Sequence, residues 1–230
     1  MEDIITFAKK IQIKFKDEKL LKQVFIHRSY INEHRGSGLV HNERLEFLGD
    51  AVLELACTEY LFTDYDRPEG EMTSWRSALV KGESLSEEAK KIGMDEHIRV
   101  SRGEAKNTGK ARDLILANAF EALIGAIYLD QGYESAKKFV GKYIVYKLDD
   151  ILKQQRHIDA KSHLQEIAQK KFSITPTYET LSETGPDHNR KFIVAVFIGK
   201  KKVGIGEGNS KQRAQIVAAA DALKHHEYLH

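Results

Sequence analysis

From the N-terminus to about residue 150, apolar residues recur three and four positions apart, the period of an amphipathic helix and not of a strand. The spacing predicts helices over 3–14, 18–26, 43–62, 72–91, 111–130 and 133–152. Turn-forming stretches separate them, among them Arg35-Gly36-Ser37-Gly38 and Asp64-Tyr65-Asp66-Arg67-Pro68-Glu69-Gly70. The polar, aperiodic run from Ser101 to Lys110 reads as a mobile loop, and no strand signal falls in this part. After Lys153 the period changes. A helix over 160–172 leads to Pro176 and to β-forming runs at Thr177–Ser182, Lys191–Ile198 and Val203–Gly206, with a hairpin turn at Gly199-Lys200-Lys201. Ser210 then stands as an N-cap before the Ala-rich run Ala214–Lys224. The expected fold class is therefore multidomain, α and α+β: an all-helical domain at 1–152 and a small α-β-β-β-α domain at 158–228.

The chain of 230 residues is long enough for two such domains. With 41% hydrophobic and 30% charged residues it is an ordinary globular chain, not a disordered, collagenous or membrane one. A single cysteine, Cys57, excludes an internal disulfide framework and a Cys-rich zinc module and fits a reducing compartment. Met1-Glu2-Asp3-Ile4-Ile5 has no signal pattern, and the longest apolar stretch, Leu114–Leu129, is too short and too polar to span a bilayer. A cytoplasmic protein with no membrane partner is expected. The net charge of +2 hides an asymmetry, because residues 1–156 carry 25 Lys and Arg against 26 Asp and Glu, and the remainder 11 against 8. Six of the ten histidines also follow residue 156, so the second domain is mildly basic and suits an anionic partner.

Candidate chemistry lies on two of the helices. Glu43, Glu46, Asp50 and Glu54 are spaced three, four and four apart and share one stripe, opposite an arc of Leu45, Leu48, Ala51, Val52, Leu55 and Ala56. A solvated acidic face would look the same. The segment Leu114–Leu129, however, is apolar nearly all round except for Asn118 and Glu121, so it should be buried, and an ionised Glu there needs a cation. No Lys or Arg within Leu114–Leu129 supplies one. Either Arg44 or Arg76 pairs with Glu121, or Glu46, Asp50, Asn118 and Glu121 converge as hard oxygen ligands suited to Mg²⁺ or Mn²⁺. No small-molecule cofactor is indicated, and a di-metal oxidase bundle would need Glu-x-x-His pairs that are missing here.

The run Asn42-Glu43-Arg44-Leu45-Glu46-Phe47-Leu48-Gly49-Asp50-Ala51-Val52-Leu53 resembles the signature motif of the ribonuclease III family. His27-Arg28-Ser29, the stretch from Gly70-Glu71-Met72-Thr73 to Leu79-Val80, and Glu121–Asp130 support the likeness. The resemblance implies a helical endonuclease that hydrolyses phosphodiesters of double-stranded RNA with Mg²⁺, Mn²⁺ substituting, and leaves 5'-phosphate and 3'-hydroxyl ends. By resemblance Glu46, Asp50 and Glu121 match metal-site acids, with Asp50 and Glu121 the catalytic pair. Glu43 falls in outer support or a dimer interface, and Phe47 in an interface, an ordinary core position being the alternative for Phe47. Asn118 departs from the family, where most members have Asp; it offers a neutral oxygen without charge, whether as a natural variant or as an engineered change. One motif per chain implies a homodimer if both strands are cut. Ribosomal and messenger RNA precursors are the expected substrates, and a non-cleaving double-stranded RNA binder with a site weakened by Asn118 is the alternative.

The second domain resembles a double-stranded RNA-binding domain, through Ala160–Glu166, Pro176–Glu179, Gly185–His188 and Gly206–Lys211. By that resemblance Ser162, Gln165 and Glu166 face one minor groove and the loop at His188 the next. Ser210, Lys211 and Arg213 sit at a helix start over the phosphates between them. Gln212 stands where the family commonly has Lys. A-form RNA displays 2'-hydroxyls and phosphates and hides its base edges, so low sequence specificity follows.

Overall fold

A computed structural model describes residues 4–153, 160–186 and 190–225. The chain divides into two compact units, Met1–His157 and Ile158–His230. Unit one contains α1 (Ile4–Lys10), α2 (Glu18–Val24), α3 (Arg28–Glu33), α4 (Glu43–Asp64), α5 (Glu69–Val80), α6 (Gly82–Lys91), α7 (Lys110–Gln131), α8 (Tyr133–Tyr143) and α9 (Leu148–Lys153). Its core forms around α7, where Leu116, Ala119, Phe120, Leu123, Ile124 and Ile127 are fully buried, as the nearly continuous apolar sequence requires. Helix α4 crosses α7 with the backbones in contact. A Cβ on Gly49 would lie 2.6 Å from the Glu121 carbonyl carbon, and one on Gly125 would lie 3.1 Å from that of Leu45. Only glycine fits at these two positions.

Several predicted helices are shorter or divided. Helix α1 stops at Lys10, because Gln12 adopts φ 63° and the Ile13 amide returns to the Ala8 carbonyl at 3.0 Å, a left-handed helix ending. The expected helix over 72–91 is two, separated at Lys81 (φ −60°, ψ 143°), whose carbonyl accepts from the Ser84 and Leu85 amides at 2.8 and 3.2 Å and so starts α6. Likewise 133–152 is broken at Ile144 by a 3₁₀ turn over Val145–Lys147. Here the buried Lys147 ammonium reaches the Ser84 carbonyl at 2.7 Å and Glu88 at 3.1 Å. Helix α3, absent from the expectation, buries no residue and so leaves no periodic signal; the His27 ring caps it by accepting from the Ser29 amide at 3.2 Å. The Ser101–Lys110 segment holds a 3₁₀ turn at Glu104–Lys106 and is tied to α3 at its start. The Ser101 amide donates to Ser29 Oγ at 2.9 Å, and that of Arg102 to the Glu33 carboxylate at 3.1 Å. One isolated bridge pairs Ile26 with Arg99.

Unit two runs α10 (Ala160–Phe172), β1 (Thr177–Thr184), β2 (Lys191–Ile198), β3 (Lys201–Gly208) and α11 (Lys211–His225), with the strands antiparallel in the order β1-β2-β3. Strands β1 and β3 extend beyond the predicted runs, since ladder pairing through Thr184↔Lys191 and Phe192↔Gly208 recruits polar residues and glycines that lack a β signature of their own. Gly204, Gly206 and Gly208 alternate on the face toward α11, which approaches so closely that a Cβ on Gly208 would lie 2.6 Å from the Ala214 nitrogen. Leu164, Ala168, Val196, Val203, Ala218 and Ala222 fill the space between helices and sheet. Helix α11 begins three residues earlier than its Ala-rich run, because Ser210 Oγ accepts from the Arg213 amide at 3.1 Å.

Candidate active site and RNA-binding face

The crossing of α4 over α7 brings Glu46 and Asp50 beside Asn118 and Glu121. Burial raises the pKa of Glu121 above the ordinary carboxylate value, and the charges of Asp50 and Glu46 add to this, to about 8. Burial also raises Glu46, helped by Glu43 and Asp50, while a hydrogen bond from Asn118 works against the rise. No cation contributes to either shift. Arg76, one of the two basic partners considered for Glu121, is engaged elsewhere: its guanidinium pairs with Glu54 at 2.8 Å and donates to Thr58 Oγ1 at 2.8 Å. The four-acid stripe is thus divided, with Glu46 and Asp50 toward α7 and Glu54 toward α5. Among the described residues no three His, Cys, Asp or Glu side chains are gathered in coordinating geometry; the acids are near enough to couple without being drawn together. The donor set, hard oxygens with no basic side chain contributing to their shifts, nevertheless fits a divalent cation in chemistry and charge.

Glu43 stands outside this set, 3.7 Å from Arg28 Nη1 and 3.7 Å from His41 Nδ1. Phe47 is no core residue. It is 83% exposed and begins a solvent-facing apolar stripe with Leu55 at 56% and Phe62 at 77%. Ala51 and Leu55, placed by the helical wheel on the inward arc, are exposed as part of that stripe. Sequence reasoning also passed over Gly49 and Gly125, which carry no chemistry but set the distance between the two acid-bearing helices. Glycine inside two long helices of good helix formers was the available signal.

In unit two, Ser162, Gln165 and Glu166 are all exposed along one face of α10, while Leu164 and Ala168 point into the core. Lys211 and Arg213 are exposed in the first turn of α11, behind the Ser210 cap, where free amides and the helix dipole favour an anion. Lys211 Nζ lies 3.5 Å from Glu183 Oε2 and 5.7 Å from the centre of the Phe192 ring, which holds it at the helix start. Lys161, not singled out from the sequence, links the two helices through a 2.8 Å bond to Gln215. His188 lies outside the described residues.

A helical unit with an acid cluster at a helix crossing, followed by an α-β-β-β-α unit with an exposed helix face and a cationic helix start, defines the class: a nuclease for structured nucleic acid. The sequence profile of Ribonuclease-III-like proteins matches residues 17–148, and that of the double-stranded RNA binding motif matches residues 160–226. The chain is 45% identical to Ribonuclease 3 of Streptococcus sanguinis over 91% of its length and 90% of the relative's. It is 46% identical to Ribonuclease 3 of Bacillus cereus over 95% and 89%. The nuclease domain of ribonuclease III from Campylobacter jejuni, described for structural flexibility in a region involved in dimer formation, superposes with a TM-score of 0.57 at 38% identity, covering 63% of this chain and 97% of that one. The chain belongs to the ribonuclease III family. It is a double-stranded RNA endoribonuclease, and the non-cleaving reading suggested by Asn118 alone is not favoured.

Proposed function

We propose that the acid cluster at the α4–α7 crossing is where this enzyme holds Mg²⁺, with Mn²⁺ able to substitute, and where it hydrolyses the phosphodiester to leave 5'-phosphate and 3'-hydroxyl ends. Glu46, Asp50 and Glu121 supply the charged oxygens and Asn118 completes the set. The observation that carries this reading is the setting of Glu121, a half-buried acid on α7 at the crossing with α4: burial pushes its pKa up to about 8, Asp50 and Glu46 add to the rise, and no basic side chain opposes it. Such a site is stabilised by a positive charge and by little else. A carboxylate-held divalent cation lowers the pKa of a bound water and offsets charge on the leaving oxygen. Asp50, exposed at the mouth of the site, and Glu121, at its floor, are the catalytic pair, set on two rigid helices whose spacing the glycines hold. Glu43, paired with Arg28, supports the site from outside.

RNA is gripped by shape. Ser162, Gln165 and Glu166 read a minor groove, His188 the next, and Ser210, Lys211 and Arg213 the phosphates between. One acid site per chain cuts one strand, so a symmetric homodimer cuts both, and the apolar stripe led by Phe47 is the surface that suits it. The domain limits 1–152 and 158–228, action on ribosomal and messenger RNA precursors, and a cytoplasmic setting belong to the same reading. No described helix is long and apolar enough to cross a membrane.

The test is incubation of the purified chain with a labelled RNA duplex in Mg²⁺, in Mn²⁺ and in chelator, with products resolved on a denaturing gel. Metal-dependent short products bearing 5'-phosphates are expected. Cleavage that persists in chelator would refute the role given to the acids.

A further inference from the structure

His27 joins the start of α3 to the polar Ser101–Lys110 segment through atoms whose donor and acceptor roles can be assigned. Its backbone is fixed, since the His27 amide donates to the Arg99 carbonyl at 3.0 Å and the Arg99 amide to that of Phe25 at 2.8 Å. Its ring Nδ1 accepts from the Ser29 amide at 3.2 Å and so holds a lone pair. The neutral ring therefore carries its proton on Nε2. Ser29 Oγ lies 2.8 Å from the same Nδ1 and accepts from the Ser101 amide at 2.9 Å, which leaves the hydroxyl hydrogen to point at the ring. In an imidazolium both ring nitrogens are donors. A hydrogen on Nδ1 would face that of the Ser29 amide, so the cap of α3 would be lost and the Ser29 hydroxyl would have to turn its own hydrogen away.

Helix α3 has no buried residue and is too short to persist on its own propensity, so its cap matters. Both anchors of the neighbouring segment stand on it: Ser29 Oγ holds the Ser101 amide, and the Glu33 carboxylate holds the Arg102 amide at 3.1 Å. That segment leads directly into α7. We propose that neutral His27 is a pH-sensitive latch, and that protonation of its ring frees α3 and, with it, the start of the Ser101–Lys110 segment. The groups that face the ring are Glu104 from the segment, Glu43 and His41 at the start of α4, and Arg112 from α7. Burial lowers the pKa of His27 from the ordinary histidine value, His41 and Arg112 act in the same direction, and Glu104 and Glu43 oppose. The opened chain thus binds the proton at a higher pH than the latched one, and the latched state loses stability as pH falls through the histidine range.

NMR of the ¹⁵N-labelled full chain between about pH 8 and about pH 5 reads the ring nitrogens and the amide protection factors together. At the upper end the ring proton is expected on Nε2, and a proton on Nδ1 would overturn the proposal. On acidification the Ser29, Ser101 and Arg102 amides should lose protection about tenfold, together and with the midpoint of the His27 ring. Amides that stay protected while the ring titrates would refute the latch. These readouts need no variant. His27→Asn supplies a capping oxygen that does not titrate, so the three amides should remain protected throughout, and opening at the wild-type midpoint would count against His27. His41→Gln should open as the wild type does; loss of the transition there would assign it to His41 and overturn the proposal.

Discussion

Gly49→Ala is the sharpest perturbation of the architecture that carries the site. On a solvent-exposed helix the change would add about 1 kcal/mol of stability through helix propensity. Here the new Cβ would overlap the Glu121 carbonyl oxygen and stand 2.6 Å from its carbon, when carbon atoms pack at about 3.5 Å or more, so α4 must retreat from α7 by at least an ångström. The obstructing atoms are backbone and cannot rotate aside, which places the strain at the upper end of overpacking costs, about 3 kcal/mol. The net loss of about 2 kcal/mol corresponds to a fall in Tm of about 4–8 °C for a unit of this size. The same retreat carries Glu46 and Asp50 away from Asn118 and Glu121, and an ångström of misplacement costs about 100-fold in rate. Gly70→Ala is the control, since a Cβ there meets nothing within 4 Å and no loss of Tm or rate is expected. Calorimetry and duplex cleavage on the three proteins decide the matter. A Gly49→Ala enzyme that melts at or above the wild-type temperature and cleaves at the wild-type rate would refute the argument.

Three further outcomes follow from the geometry. Because Glu121 is raised from 4.5 to about 8, the folded chain keeps a proton that the unfolded chain has lost between those values, so its contribution to stability declines as pH rises through that window. In chelator, the Tm of Glu121→Gln relative to wild type should therefore climb from about pH 5 to about pH 8, and a constant gap would contradict the shift. Phe47→Asp should leave the folding of the protomer within about 0.5 kcal/mol, since the side chain is exposed, yet convert dimer to monomer in light scattering; a surviving dimer rules out the Phe47 stripe. Lys211→Ala should weaken duplex binding uniformly across sequences and reduce the slope of log affinity against log salt by about 1, and unchanged slopes would show that Lys211 meets no phosphate.

Much of this was legible in the chain. Apolar residues at helical period placed α4 and α7 almost to the residue, and the change to β-forming runs after Lys153 produced the α-β-β-β-α order. Those are local properties, set by side chains within a turn or two of one another. Where the chain departs from a regular period for conformational reasons, as at Gln12, Lys81 and Ile144, the helices end earlier than the pattern says, because one backbone angle can stop a helix that apolar spacing would continue. Helix α3, held by a His27 cap and contacts to Ser101 and Arg102, had no apolar face to announce it.

The candidate site divides the same way. The acids Glu46, Asp50 and Glu121 and the odd Asn118 are evident from the sequence alone, and so is the absence of a basic residue within Leu114–Leu129. Which acid would be left uncompensated was not. Arg76 could equally have served Glu121 or Glu54, and only the packing of α5 against α4 assigned it to Glu54. Phe47 could have been core, and the exposure of its whole stripe decided otherwise. The physical reason is distance along the chain. Charge compensation and burial depend on residues some seventy positions apart meeting at a helix crossing, and that meeting is permitted by two glycines whose effect exists only once the helices touch.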